Sequence, residues 1–147
     1  MSKLHSILSP QITTTRSQRV DKKVWSNLSG SSSTLAIYNA VKNNDVPILL
    51  VTHDTPSAIR FEHELLSLKQ ESDEFSICLF PDWETLPYDS FSPHQDIISQ
   101  RLSTLYQLSR MKSGIVIVPV STLVQRLSPQ SYIEQNSLVV NRGDKRD

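Results

Sequence analysis

The chain has 147 residues, and its 15 basic and 15 acidic side chains give a formal net charge of zero. This length is typical of one domain with a real core, whereas the balanced charge argues against tight DNA binding by the chain alone, which requires a basic face to neutralise phosphates. A single cysteine, Cys78, excludes a disulfide framework and a cysteine zinc site, and no apolar run is long enough to span a bilayer or form a secretory signal, so we expect a cytoplasmic chain without a membrane partner.

Strand and helix patterns alternate along most of the chain. Residues 1–23 are polar and lack periodicity, which predicts an N-terminal arm. Continuous apolar runs predict strands at residues 47–52, 76–80 and 114–119, with weaker candidates at 24–28 and 138–140. Helical patterns cover residues 31–43, a helix capped by Asp54 or Thr55, and residues 92–109, 121–126 and 129–135.

This order of elements predicts the fold class and the domain boundaries. Strands that alternate with helices form an α/β fold with a mostly parallel sheet and helices on both faces. We therefore expect one α/β domain over residues 24–140, and a truncated linker to a next subdomain at the charged residues 141–147. The third long helix has a clear predicted start, because Ser92 is a suitable N-cap, Pro93 fits the first helical position and Gln95 completes a capping box.

A turn rich in glycine and serine lies before the first predicted helix, where a nucleotide-binding protein carries its Walker A loop. A functional loop reads G-x-x-x-x-G-K-[ST]. By this spacing Asn27 occupies the first glycine position, Ser32 the second and Ser33 the lysine position, while Gly30 lies inside the turn and Thr34 keeps the magnesium-side hydroxyl. Since the lysine that reaches the β- and γ-phosphates is missing, we predict a degenerate phosphate loop without a cofactor. The remaining alternative is a weak anion site at the helix N-terminus.

The acids of a Walker B motif are missing as well. Asp82 and Glu84 follow a predicted strand, but Trp83 separates them, so they do not form the adjacent acidic pair that holds magnesium. The four histidines are scattered without metal-ligand spacing. We therefore expect no catalytic residue, no metal site and no ATPase activity in this chain.

The loop after residue 80 is the strongest candidate for a contact surface. It combines Trp83 and Tyr88 with the acids Asp82, Glu84 and Asp89, and its prolines stiffen the backbone. Large rings on a loop either cover a core or form a contact surface, and loops held by a rigid scaffold often carry function.

Arg101 lies within the apolar stripe of the following helix at helical spacing. Because a buried guanidinium requires a partner, we expect it to pair with Asp82, Glu84 or Asp89 and to brace the loop. The alternative is that Arg101 is an exposed contact residue.

Three stretches resemble one protein family. FPDWETLPYD, SPHQDIISQRLSTLYQL and IVIVPVSTLVQRL are similar to the amino-terminal region of bacterial transcription–repair coupling factors, and the similarity covers residues 24–140. The resemblance implies a degenerate P-loop, RecA-like fold close to domain 1a of the excision-repair protein UvrB. In UvrB-like proteins a long tyrosine-rich hairpin occupies the interval that only residues 82–93 fill here. This departure agrees with the coupling factors, whose module lacks both the hairpin and the nucleotide site.

The resemblance also implies a role. The parent protein of this family recognises stalled RNA polymerase, removes it with a separate carboxy-terminal translocase that uses ATP and magnesium on double-stranded DNA, and recruits UvrA. This chain then corresponds to a non-catalytic scaffold and interaction subdomain that contacts other domains of the same parent. The alternative is a nucleotide- or DNA-handling subdomain of an active ATP-dependent helicase, which requires the lysine and the acids that the sequence lacks.

Overall fold

The computed structural model describes residues 24–85, 90 and 92–136. Within them, three strands form one parallel sheet in the order β1-β3-β2. The strands are β1 (Pro47–Thr52), β2 (Ser76–Leu79) and β3 (Gly114–Pro119), and the helices are α1 (Ser32–Lys42), α2 (Thr55–Leu68), α3 (Gln95–Arg110), α4 (Val120–Leu123) and α5 (Gln130–Asn136). The predicted α/β class is confirmed. In these ranges, no helix has both the length and the apolar character needed to cross a bilayer.

The central strand β3 supplies the core on both sides of the sheet. Every residue of β3 is buried, as expected for a strand with neighbours on both edges and helices on both faces. Ile115 and Ile117 pack with Ala58 and Leu65 of α2, and this side is called the α2 face below. The alternate residues of β3 form the α3 face.

On the α3 face, Val116 and Val118 pack with Phe80 and with Leu105 of α3. Two polar contacts hold α3 against β2: Thr104 Oγ1 donates to the carbonyl of Leu79 at 3.2 Å, and the buried Cys78 thiol contacts Gln107 Oε1 at 3.3 Å. The prediction of helices on both faces is confirmed.

Local signals explain where α2 and β3 begin. Asp54 caps α2 as predicted, since its carboxylate accepts the N–H of Ser57 at 2.8 Å. The hydrogen bonds from Ser57 hold the pKa of Asp54 below its usual value. Gly114 opens β3 with φ +141°, and a Cβ there would lie 2.4 Å from the carbonyl oxygen of Ser76, so only glycine fits this position.

The structure corrects three predicted boundaries. Residues 24–28 form no strand, because Asn27 adopts φ 60°, which interrupts an extended backbone. Helix α3 begins at Gln95, and its cap is His94 and not the predicted Ser92. The Nδ1 atom of His94 accepts the N–H of Asp96 at 3.3 Å. Helix α4 covers one turn and ends at Leu123 instead of residue 126. The predicted arm 1–23, strand 138–140 and linker 141–147 lie outside the described residues.

Candidate functional site

Two serine hydroxyl groups at the turn before α1 form hydrogen bonds with the backbone of the same turn. Gly30 has φ 56°, which turns the chain into the helix. Ser32 Oγ donates to the carbonyl of Ser29 at 2.7 Å, and Ser33 Oγ donates to the carbonyl of Gly30 at 3.2 Å. The side chains at the second glycine position and at the lysine position of the predicted phosphate loop therefore bond inside the turn.

Thr34 is directed away from the turn and towards α2. Its side chain is fully buried, and its hydroxyl donates to the Glu64 carboxylate. A cavity of about 440 Å³ lies beside this contact, lined by Ser31, Ser32, Thr34, Leu35, Glu64, Ser67 and Leu68. Glu64 is the charged side chain of this lining, so the cavity presents a negative charge where a Walker A loop presents lysine.

Arg101 holds the loop after β2 through stacking and one hydrogen bond. It is 3% exposed, which confirms its predicted burial. Its guanidinium carbon lies 4.3 Å from the ring centroid of Phe80 and 4.0 Å from that of Trp83, and Nη1 donates to the carbonyl of Pro81 at 2.6 Å. Burial lowers the pKa of the Arg101 guanidinium, an effect that the nearby Asp82 carboxylate opposes.

The predicted ion pair with Asp82 or Glu84 is wrong. Within the described ranges, Arg101 has no carboxylate at ion-pair distance, because two aromatic faces and a carbonyl oxygen occupy the guanidinium instead. Asp89 and Tyr88, the other candidates of this loop, lie outside the described residues.

Asp82 ties the loop to the region of α4. Its Oδ1 accepts the backbone N–H of Trp83 and the Nε2 group of Gln125, and its Oδ2 accepts the hydroxyl of Ser121, each at 2.8 Å. Burial raises the pKa of the Asp82 carboxyl, but the hydrogen bonds from Ser121 and Gln125 outweigh it and hold the pKa below its usual value. Asp82 therefore acts as a structural acceptor in this arrangement.

Trp83 and Glu84 form the accessible part of the loop. Trp83 is half-buried and Glu84 is exposed. Glu84 adopts φ 58°, a left-handed conformation that is uncommon outside glycine and asparagine. The loop thus presents an indole and a carboxylate from a strained, braced backbone.

The site includes three partners that the sequence did not indicate: Glu64, Ser121 and Gln125. Each lies at least 30 residues from the side chain it contacts, and no motif or periodicity links them. Across the described part of the chain, His, Cys, Asp and Glu residues form no group of three or more that could hold a metal ion.

Comparisons with known proteins identify homologues. No family model matches the chain. It is 46% identical over 125 residues to the transcription-repair-coupling factor of Haemophilus influenzae, covering 85% of this chain and 11% of that protein. The corresponding Escherichia coli protein is 42% identical over 125 residues, with 85% and 10% covered, and that of Bacillus subtilis is 23% identical over 122 residues, with 83% and 10% covered.

The chain spans about a tenth of the length of these curated relatives. Over 125 of its 147 residues it is a homologue of transcription-repair-coupling factors, as its sequence motifs predicted.

Proposed function

We propose that this chain is a non-catalytic scaffold and interaction subdomain of a transcription-repair-coupling factor. The parent protein is then an ATP-dependent DNA translocase that displaces stalled RNA polymerase from damaged double-stranded DNA and recruits UvrA. The homology to proteins of that name supports the parent. The geometry of the turn before α1 supports the non-catalytic role.

One observation carries this proposal: the contact between Thr34 and Glu64 beside a cavity whose charged lining residue is acidic. Two like charges 4 Å apart near a protein surface repel each other by about 4 kcal/mol at an effective dielectric constant of about 20. A triphosphate at this position meets such repulsion. The turn also lacks the lysine that offsets the charge of a triphosphate, because Ser33 occupies the lysine position and its hydroxyl donates to the carbonyl of Gly30.

The braced loop after β2 is the proposed contact surface for other domains of the parent or for a protein partner. Arg101 and Asp82 attach this loop to α3 and to α4, respectively, so Trp83 and Glu84 are held in place before any contact forms. A preorganised surface loses less conformational entropy when a partner binds. Tyr88 and Asp89 belong to the same proposed surface by sequence.

Isothermal titration calorimetry with Mg-ATP tests the non-catalytic role. We expect no binding tighter than about 100 µM, a binding free energy of about −5.5 kcal/mol. Ser33→Lys alone is expected to produce no ATP turnover, because an adjacent pair of magnesium-holding acids is still missing. Tighter Mg-ATP binding by the unaltered chain, or turnover by Ser33→Lys, would overturn this role.

Binding assays with purified RNA polymerase, UvrA and duplex DNA test the interaction role. We expect the chain to bind duplex DNA weakly and without sequence preference, because its net charge is zero. Submicromolar DNA affinity near physiological salt contradicts the proposal. Trp83→Ala and Glu84→Lys are expected to weaken any protein contact made through the loop, whereas Glu71→Lys, an exposed acid outside the loop, serves as the matched control.

A further inference from the structure

The cavity between α1 and α2 is lined by hydroxyl groups whose hydrogens are already bonded within the protein. Ser32 Oγ donates to the backbone of the turn, and Thr34 Oγ1 donates to the Glu64 carboxylate. Ser67 Oγ donates to a carbonyl one turn earlier in α2 at 2.8 Å. Because a hydroxyl has one hydrogen and two lone pairs, these three side chains offer a ligand lone pairs and not hydrogens.

Glu64 adds a negative charge to this lining of acceptor atoms. It is half-buried, and within the described ranges it has no lysine, arginine or histidine at ion-pair distance. The hydroxyl of Thr34 fixes the carboxylate beside the cavity. A carboxylate keeps further acceptor positions after it accepts one hydrogen bond, so Glu64 can also accept hydrogen bonds from a cationic donor.

The N-terminus of α1 carries a partial charge of the opposite sign near Ser31 and Ser32. A helix N-terminus is equivalent to roughly +0.5 elementary charge, which is about half the magnitude of the charge on a carboxylate. Glu64 is the charged side chain of the lining and carries the full charge. The cavity therefore favours a cation over an anion.

Two leucines form the apolar part of the lining. Leu35 belongs to α1, and Leu68, the last residue of α2, is 37% exposed. Long cationic side chains bury their methylene stems on such apolar surfaces while the charged head stays in a polar environment. The cavity volume of about 440 Å³ lies within the range of about 300–1,000 Å³ that is typical of small-molecule sites. The cavity thus has room for an aliphatic chain that ends in a charged group.

We propose that this cavity binds an organic cation with several N–H donors on an aliphatic chain, that is, an alkylguanidinium or alkylammonium group. The N–H groups donate to Glu64 and to the hydroxyl oxygens of the lining, and the chain packs on the two leucines. Two sources have this chemistry: a free small cation, and an arginine or lysine side chain of another protein segment. The inference rests on the proposed non-catalytic role, because a cavity that binds a cation at Glu64 does not hold a triphosphate there.

Nuclear magnetic resonance titration of the 147-residue chain with n-butylguanidinium tests the inference, and n-butylurea is the neutral ligand of similar shape. At low ionic strength, where exposed charges are screened less, we expect saturable amide shifts in residues 31–35 and 64–68. The dissociation constant should be on the order of 10 mM or below for so small a ligand. Because n-butylurea lacks the charge, it should bind at least about fivefold more weakly. Equal binding of the two ligands, or shifts confined to other residues, overturns the proposal.

Glu64→Gln tests the charged acceptor. We expect it to weaken n-butylguanidinium binding at least about fivefold, because the charge-assisted hydrogen bonds are lost. Glu62→Gln, the same change on the same helix but outside the cavity lining, is the matched control and should change the affinity by less than about twofold. An unchanged affinity in Glu64→Gln overturns the proposal. If Glu64→Gln does not fold, the comparison of the two ligands in the unaltered chain decides.

N-acetylarginine methylamide, an arginine capped at both ends, separates the two sources of the cation. If it binds with the same amide shifts, a protein side chain is supported as the ligand. If it is excluded while n-butylguanidinium still binds, a free small cation is supported. Binding of Mg-ATP overturns the non-catalytic role, whereas the absence of both Mg-ATP and cation binding overturns this inference alone.

Discussion

Helix α1 is attached to the molecule by two acidic side chains, whereas the loop after β2 is attached by the cation Arg101 together with the loop's own acid, Asp82. Two acids hold α1. Near the start of the helix, Glu64 accepts the hydroxyl of Thr34. Near the end of the helix, Asp73 accepts the hydroxyl of Tyr38 and lies 2.9 Å from Lys42 Nζ.

The loop after β2 depends mainly on one cation. Arg101 contacts two rings and a carbonyl group of this loop at once. The attachment of α1 is divided between two acids, whereas the single substitution of Arg101 removes three contacts from the loop. Asp73, one of the two acids that hold α1, loses its charge as the pH falls through its pKa of about 2, but a guanidinium stays charged. We therefore expect the two regions to respond differently to mutation and to pH.

The largest expected effect is that of Arg101→Ala. It removes a buried cation–π contact with two rings and a hydrogen bond to a carbonyl group, so we expect a loss of about 2–4 kcal/mol in the free energy of unfolding. Urea denaturation measures this loss. Arg101→Met keeps apolar bulk and should lose less.

Arg110→Ala is the matched control for that experiment, since Arg110 lies on the same helix, stacks on Tyr106 at 4.2 Å and is exposed. It should change stability by less than about 0.5 kcal/mol. Equal stability of Arg101→Ala and the unaltered chain would show that Arg101 does not brace the loop.

Asp82→Asn tests the second attachment of the loop. The substitution removes the negative charge that strengthens three hydrogen bonds. It also places an NH₂ donor opposite the donors of Trp83, Ser121 and Gln125. We therefore expect the free energy of unfolding to fall by about 1–2 kcal/mol. Glu84→Gln, the same change two residues further along, should stay within about 0.5 kcal/mol because Glu84 is exposed. Equal effects of the two variants in thermal denaturation contradict the structural role of Asp82.

Thr34→Val tests the attachment of α1 at its start. Valine keeps the shape but removes the donor to Glu64, whose carboxylate remains accessible through the adjoining cavity, so we expect a loss of about 1 kcal/mol or less. Ser33→Ala, which removes a neighbouring hydroxyl bonded only to the turn, provides the comparison. A loss for Thr34→Val as large as that for Arg101→Ala refutes the idea that the attachment of α1 is divided.

The last expected effect is confined to acid pH. The hydroxyl of Tyr38, the N–H of Gln70 and the Lys42 ammonium lower the pKa of Asp73 to about 2. Because an unfolded aspartate has a pKa of about 3.9, this contribution is fully present above about pH 4 and is lost as the pH falls through about 2.

Urea denaturation of the unaltered chain and of Asp73→Asn between about pH 5 and about pH 2 measures this contribution. The stability difference between the two proteins should shrink towards the acid end. A difference that stays constant with pH shows that Asp73 does not stabilise the chain through its charge.

Elements dominated by local signals were predicted from the sequence. The bounds of β1 and β3 match the apolar runs 47–52 and 114–119, because continuous β-branched and aliphatic runs favour strands. Of the two, only β3 is buried on both faces, since Leu49 and Val51 of β1 are exposed. Asp54, one of the two residues predicted as the cap of α2, is the cap, and the bond it accepts comes from a residue only three positions away.

Contacts between distant residues were not predictable in this way. The apolar stripe of α3 located Arg101 correctly in the interior, but proximity in sequence suggested carboxylates as partners when aromatic faces were equally near. Glu64 contacts Thr34 across 30 residues, and Ser121 contacts Asp82 across 39. Such partners are determined by how α2 and α4 pack on the sheet, which a single sequence does not specify.

The stacking of Arg101 on Trp83 gives the chain an intrinsic optical reporter. The sequence contains two tryptophans, and the other, Trp25, is 40% exposed and lies before α1. Trp25→Phe leaves an indole whose emission comes from the braced loop alone. Quenching or a spectral shift on addition of a protein partner then reports contact at this loop without any attached dye, and an unchanged spectrum assigns the contact to another surface.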